Sequence, residues 1–178
     1  DGFVARDFQR QSALAHLHLH TRGGGGPPDA ALTLCERPYR GQLLLRGNVA
    51  DADFVAAVTQ VLGVGLPQEP NTSAGTDGCN ALWLGPDEWL LVVPDGREAE
   101  TESALTAALR GRHHAVTDVS AGRAVIGLAG PRASDVLMKG CSLYMHPRAF
   151  SAGQCAQTRL ARCQVLLHQV DAAPTYDV

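Results

Sequence analysis

Between His114 and Phe150 the spacing of apolar positions changes period, and that change predicts a strand, a turn, a second strand and a helix. Val116 and Val119 close a short extended run, and Ser120-Ala121-Gly122 supplies turn chemistry. Ala124, Ile126 and Leu128 then interleave with Val125, Gly127 and Ala129, so both faces of the next run are apolar and a doubly buried strand is expected. Gly130-Pro131 ends it. Proline suits a first helical position because its missing N–H would have no partner there. Ala133, Val136 and Leu137 form one helical stripe, closed by Lys139 and Gly140.

The rest of the chain parses around this stretch. Residues 1–30 read as a flexible N-terminal arm ending in a Gly/Pro-rich loop, since Gly23 to Gly26 followed by Pro27-Pro28 suits no regular element. Within it, Ser12 to Leu19 fits a short helix or strand. Leu32 to Cys35 and Gln42 to Arg46 read as strands. Asp51 is placed to cap a helix in which Phe54, Val55, Val58, Val61 and Leu62 share a face, and Gly63 ends it. Residues 63–79 form a loop long enough to be mobile or held by a partner. Asn80 to Leu84 and Trp89 to Val93 make a hairpin, Glu98 to Arg110 a helix with acids at its start, and His114 to Val119 a strand.

The order β-α-β-β-α-β is that of the split βαβ, ferredoxin-like unit. From Arg123 it restarts as strand, helix, loop, strand (Gln154 to Leu160) and strand (Cys163 to Val170), with an extended piece from Pro174. The fold class is therefore α+β, with a first half at 31–119 and a second, incomplete half at 120–178 in one compact domain. The missing helix and strand predict a natural chain that continues past Val178.

Composition narrows the partners. A net charge of -3 over 178 residues argues against a nucleic-acid surface. No apolar run approaches the roughly 18 residues of a membrane span. Lys139 is the one lysine, and a cation set dominated by arginine favours planar, bidentate contacts with partners. The opening DGFVARDFQRQ has neither an apolar signal region nor an initiator methionine, which reads as a trimmed or incomplete terminus. Five widely spaced cysteines (Cys35, Cys79, Cys141, Cys155 and Cys163) read as reduced thiols of a cytoplasmic protein.

Candidate chemistry is sparse. His16, His18 and His20 would share a strand face, but their spacing of roughly 6–7 Å is awkward for one metal ion, and exposed histidines are the preferred reading. Gly23 to Gly26 lacks the lysine and the following helix of a phosphate cradle. Cys141 follows a helix C-terminus, whose negative end would raise a thiol pKa, and Ser120 has no nucleophile elbow. Asp118 and Arg123 could pair across their turn, contributing at most about 1 kcal/mol, or Asp118 could face a ligand; the pair is preferred because no second acid/base group is placed. His146-Pro147-Arg148 exposes an imidazole and a guanidinium, for loop stabilisation or subunit contact equally. Trp83 and Trp89 flank the hairpin, with core packing the default and interface anchoring second. The candidate contact residues are thus His146, Arg148, Trp83 and Trp89. No catalytic, cofactor-binding or metal-ligating residue is assigned.

DVSAGRAVIGLAGPRASDVLMKGCSLYMHPRAF, followed by GQCAQTRLARCQVLLHQ and preceded by LWLGPDEWLLV and QSALAHL, resembles the gamma-subunit family of bacterial heterotetrameric sarcosine oxidases, from about Gln11 to the last residue. That family usually has an acidic residue near positions 143–145, where this chain has Tyr144. The resemblance implies two halves like those of the folate-binding aminomethyltransferase superfamily, whose members use a carboxylate toward the ligand cleft. It implies a structural, non-catalytic subunit of a cytoplasmic complex in sarcosine catabolism and one-carbon metabolism. That complex oxidises sarcosine with O2 to glycine, hydrogen peroxide and a one-carbon unit on tetrahydrofolate. The implied partners are alpha, beta and delta subunits, with FAD and FMN on beta, NAD and tetrahydrofolate on alpha, and zinc on delta. The alternatives are a free-standing folate-binding aminomethyltransferase-like domain, for which the chain is about half the usual length, and an interaction subunit of another amine oxidoreductase.

Overall fold

The computed structural model describes residues 10–22, 30–76 and 78–178. The other positions of the expected arm and its Gly/Pro-rich loop, 1–9 and 23–29, lie outside the described residues. The helices are α1 (Leu19–Arg22), α2 (Ala52–Leu62), α3 (Glu98–Ala108) and α4 (Ala133–Met138). The strands are β1 (Thr33–Glu36), β2 (Gly41–Gly47), β3 (Ser73–Thr76), β4 (Cys79–Gly85), β5 (Glu88–Val93), β6 (His114–Asp118), β7 (Ile126–Ala129), β8 (Cys155–Leu160), β9 (Cys163–Asp171) and β10 (Thr175–Asp177).

Two five-stranded antiparallel sheets result, in the orders β3-β4-β5-β2-β6 and β1-β7-β10-β9-β8. The first contains the expected split βαβ order, extended at one edge by β3. Its register pairs Leu43 with Leu91 and Leu45 with Trp89. This row, with Ala81 and Val93, faces α2 and α3 and packs on Phe54, Val58, Leu105 and Leu109. The local signals at α2 act as read: the Asp51 carboxylate accepts from the N–H groups of Asp53 and Phe54, and Gly63 (φ 68°) closes the helix. Arg112 ties the end of α3 to this start, meeting Asp51 at 2.7 Å and Asp53 at 2.8 Å.

The second half departs from expectation. The strand at 33–36, assigned to the first half, pairs with β7 in the second sheet, Leu34 opposite Leu128. The terminal piece is β10, a central strand with Tyr176 opposite Leu128 on one side and Gln169 on the other. Both faces of β9 carry packed residues: Leu167 packs against α4 and its following loop, and Leu166 turns toward the first sheet. The strand expected to be buried from Ala124 onward is also shorter, since Ala124 is exposed, Ile126 half-buried, and only Gly127 and Leu128 are buried.

The inner faces of the sheets meet through Leu82, Leu90, Leu84 and Val92 of the first and Cys155 and Leu166 of the second. Main-chain bonds stitch the seam: Ser73 N–H donates to Gly153 O (2.7 Å) and Cys155 N–H to Asn71 O (2.9 Å). Across it His168 Nε2 and Ser73 Oγ lie 3.0 Å apart. Of the 63–79 loop, expected to be mobile or held by a partner, residues 73–76 form β3 and the part before it is pinned by buried Val64 and Leu66 and by a bond from Trp89 Nε1 to Pro67 O (2.7 Å).

Candidate assembly surface

The loop after α4 carries two of the four candidate contact residues. It leaves the helix by pairing with the far end of β8: Ala161 N–H donates to Gly140 O at 2.7 Å, and Cys141 bridges Leu160. Cys141 and Met145 then point inward and are buried, Leu143 packs partly against the same core, and Ser142, Tyr144 and His146 point outward. This period of 2 is what an extended segment with one covered face gives. It sets the Tyr144 and His146 rings side by side, stacked at 5.7 Å and 12°. His146 Nδ1 accepts from the Arg148 N–H (3.2 Å), and the His146 carbonyl accepts from Ala149 and Phe150. Those bonds fix the loop while leaving Tyr144, His146 and Arg148 exposed.

The tryptophans lie elsewhere. Trp83 and Trp89 are directly opposed across the β4–β5 hairpin, so they share the helix-side face of the first sheet. Trp89 is 0% exposed and tilted against Phe54 at 6.3 Å, which makes it a core residue and corrects its reading as a contact anchor. Trp83 is half-buried. The structure does not unite the four candidates: the loop pair caps the outer face of one sheet, and the tryptophans belong to the opposite outer face of the other.

The remaining polar candidates are engaged internally. Asp118 accepts from the Ser120 hydroxyl (2.6 Å) and N–H (2.9 Å), which hold its carboxyl below the usual range, and it pairs with Ser120 rather than Arg123. Ser120 Oγ in turn accepts from Gln42 N–H at 2.8 Å. Arg37 lies over Gly127 and meets Asp177 at 2.7 Å. Burial pushes the Cys79 and Cys155 thiols up to about 11, the wrong direction for a nucleophile. His16 falls in a 3-10 turn and His20 in α1, so the HLHLH run is not a strand. Among the described residues no three His, Cys, Asp or Glu side chains converge as a metal site. No helix there is long and apolar enough to cross a membrane. Two concavities of about 350 and 260 Å³ flank α3, lined mainly by residues such as Glu102 and Arg110 or Val61 and Glu100.

A profile of the sarcosine oxidase, gamma subunit family matches residues 46–177. The chain belongs to that family. The gamma subunit of sarcosine oxidase from an Arthrobacter species is 40% identical over 151 residues, which span 84% of this chain and 73% of the relative. That of Corynebacterium sp. strain U-96 is 39% identical over 163 residues, spanning 89% and 76%. The solved heterotetrameric sarcosine oxidase from Corynebacterium sp. U-96, in complex with pyrrole 2-carboxylate, contains a chain that superposes with a TM-score of 0.83 at 35% identity, covering 94% of this chain and 85% of its own length. The glycine cleavage system aminomethyltransferase T from Bartonella henselae superposes with a TM-score of 0.57 at 14% identity, covering 93% of this chain and 45% of that one. The second likeness is one of fold. This chain's α+β fold of two antiparallel sheets is thus similar to that of an aminomethyltransferase. The residues that build the loop surface lie inside the matched span. Sequence reasoning found His146 and Arg148 from the His-Pro step, and missed Tyr144 as their companion although the alternation Cys141, Leu143, Met145 signalled it.

Proposed function

We propose that the chain is the gamma subunit of a heterotetrameric sarcosine oxidase, acting as a structural and assembly subunit that carries no catalytic residue of its own. The observation that carries this is the superposition with a chain of a solved heterotetramer over 94% of the present chain at a TM-score of 0.83. The side-chain chemistry supports it. Asp118, the acid weighed in the sequence as a carboxylate facing a ligand, is committed to Ser120, and the buried thiols are held protonated. Alpha, beta and delta subunits would be its partners and would hold FAD, FMN, NAD, tetrahydrofolate and zinc. We place the complex in the cytoplasm, where five free cysteines, two of them exposed, stay reduced.

The test is to compare the purified chain with the co-expressed four-subunit preparation. The chain alone should show no flavin absorbance and produce no peroxide from sarcosine, while the preparation containing it should do both. A flavin spectrum or peroxide production by the single chain would overturn the reading. The aminomethyltransferase-like fold makes tetrahydrofolate the second ligand to titrate against the chain alone, and saturable binding there would favour the folate-dependent alternative.

A further inference from the structure

We infer that the margin of the second sheet formed by β8, its turn to β9 and the loop after α4 is a docking surface for an acidic face of a neighbouring subunit. The inference rests on the assembly role proposed above and names the chemistry of the contact. Charge is distributed unevenly along the chain. Residues 120–178 hold six Lys or Arg against three Asp, a net charge of +3 within a chain whose net charge is -3. Two of those three acids are engaged, Asp135 with Arg132 and Asp177 with Arg37. Lys139, Arg148, Arg159 and Arg162 are exposed and form no ion pair among the described residues.

The fold brings Lys139 and the turn that bears Arg162 together. The bond from Ala161 N–H to Gly140 O puts Lys139 beside the turn that carries Arg162; Arg159 precedes that turn on the edge strand β8, on the same face as Gln157, whose amide donates to Leu84 O of the first sheet. From the Cys141–Leu160 bridge the loop returns to Gln154, next to Cys155, and so runs from one end of β8 to the other. On the way it presents Arg148 and the stacked Tyr144–His146 pair. Tyr144 is 66% exposed, yet its ring is already ordered against His146, so little side-chain entropy is lost when a partner covers it. Aromatic residues and arginine are the types enriched where protein surfaces meet. A nucleic acid or anionic membrane would have to approach a chain that is acidic overall, which raises the electrostatic barrier to such a polyanion. An acidic protein face of limited extent can match the positive margin alone.

The experiment uses the co-expressed complex and measures how much chain stays bound as NaCl rises from about 0.05 to about 1 M, a range that shortens the screening length several-fold. Arg148→Glu combined with Arg162→Glu is compared with wild type, and Lys139→Glu with Arg159→Glu provides an independent second pair. Melting of each free variant at the wild-type temperature shows that it is folded. Wild type should be retained at low salt and released as salt rises. Each reversed pair should bind at least about tenfold more slowly at low salt, with a flattened salt dependence. Retention and salt dependence equal to wild type in both pairs would overturn the inference while leaving the assembly role intact. Wild type absent from the complex at every salt concentration would instead overturn the assembly role. A salt-sensitive dimer of the chain alone, abolished by the reversals, would assign the margin to self-association and also overturn the inference.

Discussion

Replacing Gly47 with alanine should destabilise the chain by about 1–2 kcal/mol net, although it adds a single methyl group. Gly47 is the last residue of β2, and a Cβ built there would lie 2.2 Å from Cε2 and 2.3 Å from Cζ of Phe54. Carbon atoms pack at about 3.5–4.0 Å, so the ring would have to retreat by more than about 1 Å. It has nowhere to go cheaply. Phe54 is 1% exposed and leans on Trp89, which is itself fully buried and anchored through Nε1 to Pro67 O at 2.7 Å. Two terms oppose each other. Alanine restricts the unfolded chain, which stabilises by about 0.4–1 kcal/mol, whereas overpacking a filled core costs about 1–3 kcal/mol. Sterics should win because three atoms of a boxed-in ring are hit, not the tip of a flexible side chain. For a chain of this size the loss corresponds to about 2–8 °C in Tm. Urea and thermal melts of Gly47→Ala, Phe54→Leu and the double variant measure it. Leucine makes room, so the double variant should be more stable than the sum of the single losses by at least about 0.5 kcal/mol. A Gly47→Ala chain melting at or above the parent temperature, with additive losses in the cycle, would refute the contact.

Further outcomes follow from the same core and seam. Trp89→Phe should cost about 2–4 kcal/mol, because it strands the buried Pro67 carbonyl as well as leaving a void; a loss within about 0.5 kcal/mol in a urea melt would place Trp89 at the surface. Burial holds the His168 imidazole below its ordinary range, outweighing the Asp177 carboxylate that favours the cation. A depressed pKa means stability fully present above about pH 6.5 and lost as pH falls below it. The urea midpoint should therefore drop with acidification through that window, and His168→Gln should flatten the drop; an unchanged slope in the variant would contradict it. Cys35 and Cys163 are exposed and should react with a thiol reagent in the native chain, whereas Cys79 and Cys155 should react only on unfolding. Prompt modification of all thiols under native conditions would show that the seam is open.

What the sequence revealed were features that depend on neighbours in the chain. The Asp51 cap and the Gly63 stop of α2 are local hydrogen-bond and backbone preferences, and the β4–β5 hairpin follows from its own turn. The positions of β1 and β10 follow from pairings between distant segments. Nothing in Thr33–Glu36 announces that it will meet β7 and not β2, and the three residues of β10 are too short to show a period. The terminal piece, left outside the strand count, is β10 at the centre of the second sheet. The 63–72 segment looked loose because its anchor, the Trp89 indole N–H, is contributed by a strand 22 residues away. At the surface, the His146-Pro147-Arg148 step was visible as exposed chemistry. The joining of Lys139 to the turn that bears Arg162 was not, because it depends on the Gly140–Ala161 contact.

Native mass spectrometry of the chain co-expressed with the alpha, beta and delta subunits proposed as its partners tests the central claim most directly. The account predicts a flavin-containing assembly that includes one copy of this chain, and loss of an intact assembly when the chain is omitted. A fully assembled, active oxidase that forms without the chain, while the chain itself is recovered only as a free species, would contradict it.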